Sequence, residues 1–244
     1  MLKTVIIMSF GISIHKIRCK VNCFAQKIPA NSVQKRHPKN NFGGSMENFL
    51  KAIRMESPDT IPVQINILPS AWMLYGKELQ RLTDQYPQFF HGTQIDLEHI
   101  RDNMQETYHI GSHVDEWGCV FSNVEHGMDG IVTGHPVPTQ DDIFKLEIPK
   151  NRDGSLPHGF MYLRLLDLRG FEEAMIDFAE EGEALETLLD KVLQYNLIQA
   201  EVAAAKMKPG DIVYLGDDLG MQNGLAIGAA KWRKYLKPCF VKHT

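Results

Sequence analysis

The sequence predicts an α/β fold, on three observations. From Phe171 onward the chain runs helix, tight stop, buried strand, loop and helix, the grammar of an α/β domain. Nearer its start, an alternating apolar segment lies between two segments of helical spacing. With 43% hydrophobic and 23% charged residues, 244 residues can bury the core of one ordinary soluble domain.

Taken in order, "ENFLKAIRME" (Glu47 to Glu56) places Phe49, Leu50 and Ile53 at helical spacing and stops before Pro58, which biases Ser57 away from helix. "IPVQINILP" (Ile61 to Pro69) alternates Val63, Ile65 and Ile67 with polar residues and predicts a strand. "AWMLYGKELQRL" predicts a helix, and "DLEHIRDNMQE" another helical segment. Between His113 and Val137 two apolar runs are joined by a stretch containing Gly127 and Asp129-Gly130, a hairpin or a strand-loop-strand excursion. "FEEAMIDFAEE" is amphipathic, and the long segment beginning "ALETLLDKVLQY" sets Leu185, Leu188, Leu189, Val192 and Leu193 along one helical face. Lys206, Lys208 and then Pro209-Gly210 are its stop signals. "DIVYLGDD" follows, its apolar run Ile212 to Leu215 suiting a parallel strand covered on both faces. "AAKWRKYLKP" predicts a last helix.

Residues 1–45 differ from the rest. They hold eight Lys and Arg and no Asp or Glu, whereas the remainder carries 18 bases against 30 acids, a net charge of -12. An acidic body lacks the clustered cations that phosphate binding needs, which argues against nucleic acid as a partner. The apolar run Thr4 to Ile14 resembles a secretory signal but is too short to span a bilayer, and the basic composition also fits an organellar transit peptide. The preferred reading is a leader, disordered or not native, translated from an early start codon ahead of a cytoplasmic domain that begins at Met46, with no membrane partner. Four sparse cysteines without a CxxC pair suit a reducing cytoplasm.

Three groups of residues could carry chemistry. Asp217 and Asp218 follow the predicted buried strand, where ligand sites of parallel α/β folds lie. The next helix is predicted to begin near Ala229, beyond the reach of a capping side chain, so the pair reads as ligand-facing carboxylates. Asp115, beside Trp117 and Gly118, reads either as an anchor for a planar ligand such as a tetrapyrrole or as a solvated hairpin residue. His109, His113, His126 and His135 lack the spacing and carboxylate partner of a zinc motif, and no metal is assigned to them. The chain has no GxSxG elbow, P-loop or GxGxxG fingerprint, so nucleotide binding is unsupported.

Five stretches in this order, "FLKAIRMESPDTIPV", "DEWGCVF", "GHPV", "LPHGFMYLRLLDLRGFEEAMIDFAEE" and "GDDLGMQNGLAIGAAKWRKYLKP", resemble successive signatures of the uroporphyrinogen decarboxylase family, over nearly everything from Met46 to Phe240. The resemblance implies a (β/α)8 barrel with its active site at the carboxyl ends of the strands. It also implies Asp115, Asp217 and Asp218 as catalytic residues and Trp117, Arg169 and Gln222 as ligand-binding ones. The family has two branches. Its porphyrin-biosynthesis decarboxylases use arginines after the first strand to hold an octacarboxylate; the corresponding "ILPSAWMLYGKE" has none, and Leu166 stands where they place a tyrosine. "DEWG" and "GDDLGMQ" are closer to the methyltransferase-like branch, whose members act on corrinoid- or thiol-linked methyl groups and activate a thiol on zinc through a His-x-Cys motif. That motif is absent from this sequence, where Cys239 and His243 read as residues of the terminal helix. The expectation is therefore a fragment, the first half of a barrel, with zinc and a corrinoid protein as partners of the full-length enzyme. The alternatives are a true uroporphyrinogen decarboxylase and a catalytically inert tetrapyrrole-binding fragment. A half barrel alone exposes strand edges and an apolar interior.

Overall fold

A computed structural model describes residues 46–63, 65, 67–90, 94–156, 158–208 and 215–241. These divide into two compact units, one built from 46–111 and 123–130, the other from 112–122 and 131–241.

In the first unit, α1 (Met46–Ile53) forms where the sequence places it. Its Asn48 is buried and holds the following turn, donating from Nδ2 to the carbonyl of Thr60 at 2.7 Å and accepting from the amide of Asp59 at 2.7 Å. The predicted strand over Ile61 to Pro69 is not formed by the described residues of that segment. Ile61 and Ile65 are exposed, with no neighbouring strand among the described residues to lie against, and Pro69 instead opens α2 (Pro69–Gln85). Gly76, at φ 46° and ψ -119°, breaks the helical path inside α2, and α3 (Pro87–Phe90) follows. "DLEHIRDNMQE" forms bends and turns rather than the expected helix, ending in a 3-10 turn, Glu106–Tyr108. Gly127 ties the unit together: its carbonyl accepts from the Ser70 amide at 3.1 Å and its amide donates to the Tyr108 carbonyl at 2.9 Å.

The second unit contains most of a sheet ordered β1 (Gly111–Val114), β2 (Val120–Asn123), β3 (Ile131–Gly134). The hairpin expected from the two apolar runs is present: β2 pairs antiparallel with β3, Phe121 opposite Val132 and Ser122 opposite Ile131, with a bulge at Val120. α4 (Gln140–Lys145) opens on a reciprocal box between Thr139 and Asp142. Next come α5 (Tyr162–Arg169), α6 (Phe171–Glu180) and α7 (Glu183–Lys206). All five apolar residues predicted to share one face of α7 are buried, against Phe160, Leu165, Leu168 and Phe178 among others. At roughly 1.5–3 kcal/mol for each large apolar side chain, this face is a main source of the unit's stability.

α7 also secures the irregular stretch 146–156. Lys191 closes the carboxyl end of α4 by donating to the carbonyls of Ile143 and Leu146, both at 2.7 Å, and Gln199 bonds the Asn151 carbonyl and the Gly154 amide, both at 2.8 Å. Pro209-Gly210 and the strand core Ile212 to Tyr214 lie outside the described residues; Leu215 is buried but in no strand. β4 (Gly220–Met221) and β5 (Gly224–Leu225) form a second antiparallel pair. The predicted last helix is present as α8 (Gly228–Lys231), a π-helical turn Trp232–Leu236 and α9 (Lys237–Val241).

The fold is thus mixed α/β and mostly helical, with small antiparallel sheets. Among the described residues there is no barrel, in contrast to the (β/α)8 architecture the resemblance implies: the strand pairs with a determined register are antiparallel, whereas barrel closure needs staggered parallel strands. No helix among the described residues is long and apolar enough to cross a membrane.

Candidate functional site

Several buried polar groups of the second unit, Asp115, Arg164, Arg169, Asp177 and Asp217 among them, meet at α5. A helix leaves its first amides without partners, and Met161, which precedes α5, offers no capping side chain. Asp217 supplies the acceptor from more than fifty residues away. Its Oδ2 accepts from the amides of Met161 at 3.0 Å and Tyr162 at 2.5 Å, and its Oδ1 from that of Leu163 at 2.8 Å. The residue is 0% exposed. Burial pushes its carboxyl above the usual range, against the pull of the three amides toward the ionised form. Gly216 accepts the amides of Gly159 and Phe160 at 2.9 and 3.0 Å, and a β-carbon there would lie 2.3 Å from His158 Nδ1, so a larger residue would displace the His158 ring. Asp217 is therefore a cap after all. The sequence reading excluded that role by weighing only the helix that follows, and the helix it caps precedes it.

Asp218 has a different environment. Its side chain is 55% exposed and pairs with His158 Nε2 at 3.1 Å. The adjacent aspartates thus face opposite ways, one inward and one toward solvent.

Asp115 is neither a solvated hairpin residue nor a free anchor. Its Oδ1 accepts from the amides of Trp117 at 3.0 Å and Cys119 at 2.8 Å, closing the turn between β1 and β2, and its Oδ2 accepts a short hydrogen bond from Arg164 Nη1. Arg164 also faces Asp167, one turn further along α5, at 3.7 Å. The backbone carbonyl of Asp167 receives the Cys119 thiol at 3.4 Å and His135 Nδ1 at 2.8 Å. Burial pushes the Asp167 carboxyl up to about 6 and the Cys119 thiol up to about 12, so Cys119 is a neutral thiol at physiological pH.

The side chains of two remaining candidates, Trp117 and Arg169, are engaged elsewhere. Trp117 is buried, its ring edge-on to Tyr195 at 5.2 Å, a core contact rather than an open ligand face. Arg169 is buried at the carboxyl end of α5 and grips Asp177 with two nitrogens, at 2.7 and 3.2 Å, while its third reaches the Val137 carbonyl at 2.7 Å. Gln222 is exposed in the turn between β4 and β5. Of the six predicted site residues, Asp115 and Asp217 are brought together on α5, whereas Asp218 turns its side chain toward solvent and His158. Arg164 and Asp167 were missed, although two charges three apart inside the apolar run "LRLLDLR" are the kind of signal that marks a buried ion pair.

No known protein family, curated protein or solved structure matches the chain.

The described residues do not fit a thiol-activating zinc ion. Among the described residues no group of three or more His, Cys, Asp or Glu side chains is placed to hold a metal, and the two described cysteines are buried, Cys119 on the Asp167 carbonyl and Cys239 on that of Tyr235. Chemically, the cluster offers a cation already shared between two carboxylates and one carboxyl that holds a proton close to neutrality.

Proposed function

We propose that the chain is part of an enzyme of the uroporphyrinogen decarboxylase family, of the methyltransferase-like branch, handling a methyl group carried on a corrinoid or a thiol. On this reading it works in the cytoplasm, with a corrinoid protein as partner and with zinc held by residues other than those described. The support is the ordered resemblance along the sequence together with one observation on the buried cations. Both buried arginines of the second unit are consumed internally, Arg164 by Asp115 and Asp167, Arg169 by Asp177 and Glu173. A porphyrinogen with eight carboxylates needs cations to meet it, and breaking either pair to free one leaves an uncompensated buried carboxylate, at about 3–5 kcal/mol. Asp115 likewise already accepts three hydrogen bonds from the protein, and its side chain is only 9% exposed to an incoming ligand. A methyl group on a corrinoid or a thiol makes no such demand.

The test is a titration of the full chain with methylcobalamin and, separately, with uroporphyrin, followed by tryptophan quenching and by the ligands' visible bands. Saturable binding of the corrinoid without the porphyrin is expected. Tighter binding of uroporphyrin would return the chain to the decarboxylase branch or to an inert tetrapyrrole carrier, and binding of neither would remove the proposed ligand from this part of the enzyme.

A further inference from the structure

Asp115, Arg164 and Asp167 form a buried cluster in which one guanidinium serves two carboxylates; their side chains are 9%, 11% and 16% exposed. With both carboxylates ionised, one negative charge lacks a counterpart in a poorly solvated place, and taking up a proton removes that cost. The two acids do not compete equally. Asp115 has three donors, the Trp117 and Cys119 amides and Arg164, whereas Asp167 faces Arg164 across 3.7 Å, beyond hydrogen-bond length. Asp167 is therefore the member that yields its charge.

We propose that Asp167 is a proton-binding site that governs how firmly the turn 115–119 is held. When Asp167 is neutral, Arg164 belongs to Asp115 alone and the turn is locked. When it ionises, the two carboxylates compete for Arg164 and the turn loosens.

The groups facing Asp167 come from every element around it. Arg164 is on its own helix, Asp115 and Cys119 on the turn between β1 and β2, His135 on the segment after β3, and Asp217 on the segment that caps α5. Burial is the largest influence on the Asp167 carboxyl; Arg164 and His135 oppose it, and Asp115 and Asp217 reinforce it. The titrating residue is also mechanically connected, since its carbonyl receives Cys119 from the turn and His135 from the other side. The inference rests on this cluster and not on the function proposed above.

The experiment is amide hydrogen exchange of Trp117 and Cys119 in the full chain, corrected for intrinsic rates, between about pH 5 and pH 7.5. Protection of both amides is expected to fall by about tenfold across this range, the ratio that accompanies one pH unit of differential proton binding. In Asp167→Asn, an isostere of the neutral acid, protection is expected to stay high throughout. Protection independent of pH in the natural chain, or a transition retained in the variant, overturns the proposal. Should the variant not fold, the Asp167 13Cγ resonance of the natural chain is followed beside the two amides: a shared inflection near 6 supports the proposal, and a carboxyl inflection near the ordinary value of about 4, or one that the amide protection does not follow, refutes it.

Discussion

Replacing Asp217 by alanine strips three amides of α5, those of Met161, Tyr162 and Leu163, of their acceptor at a position without solvent access. Loss of a helix cap ordinarily costs ~1–2 kcal/mol. Here water cannot take over, and each orphaned buried donor adds ~1–3 kcal/mol. Against these stands the relief of a buried charge, because burial holds the Asp217 carboxyl above its usual range. Taking the low end for each of the three donors, because that relief offsets part of the loss, Asp217→Ala costs about 3 kcal/mol. Asp217→Asn has a different geometry: its single oxygen, placed where Oδ2 stands, keeps the amides of Met161 and Tyr162 and loses that of Leu163, at about 1–2 kcal/mol. Urea unfolding at pH 7, followed by far-ultraviolet circular dichroism, should show the two variants in that order with m unchanged. An alanine variant within about 1 kcal/mol of the natural chain would refute the cap, and equal losses in the two variants would show that charge, not acceptor geometry, holds α5.

Three further outcomes follow from the same structure. The folded-state carboxyl of Asp167 is raised from 3.8 to about 6, so its contribution to stability is fully present below 3.8 and is lost as pH rises through about 6. Linkage puts that contribution at about 3 kcal/mol, and denaturant unfolding from pH 4 to 8 should show it in the natural chain and not in Asp167→Asn. Arg169→Lys replaces a fork on Asp177 by a single point of charge and gives up the Val137 carbonyl, which should cost about 3 kcal/mol in the same measurement, as expected when a buried pair is broken. Gly127→Ala brings a β-carbon within 2.3 Å of the Ser70 amide nitrogen at φ +81°, so the amides of Ser70 and Gly127 should lose exchange protection together, at about 2 kcal/mol or more.

What the sequence revealed follows the range over which its signals act. α7 was legible because its apolar residues recur at spacings of three and four, and burial of one face is enough to define it. The β2–β3 hairpin was legible because its turn residues lie between the strands they join. α5 was not, since its cap is Asp217 and its counter-ion is Asp115, both distant in sequence and neither recorded in the local pattern. The same cause reversed the reading of Asp217: a rule that looks only to the following helix cannot see an earlier one. The strand expected over Ile61 to Pro69 fails at its described residues for the opposite reason, as a local alternation with no partner strand among the described residues has nothing to bury. Arg169 was expected at a ligand; its planar fork is matched instead by Asp177, two turns away on α6.

The distance along the chain between α5 and its cap has a consequence for synthesis. Tyr162 leaves the ribosome 55 residues before Asp217. During that interval an eight-residue helix has no acceptor for its first amides, and helices so short are marginal in water. α7, with 24 residues and its own apolar face, can form in the meantime and offer Phe160 and Leu165 a surface to settle on. Folding of this region therefore waits on a late, long-range closure, the kind of contact that slows folding and leaves apolar surface uncovered while the chain is still emerging.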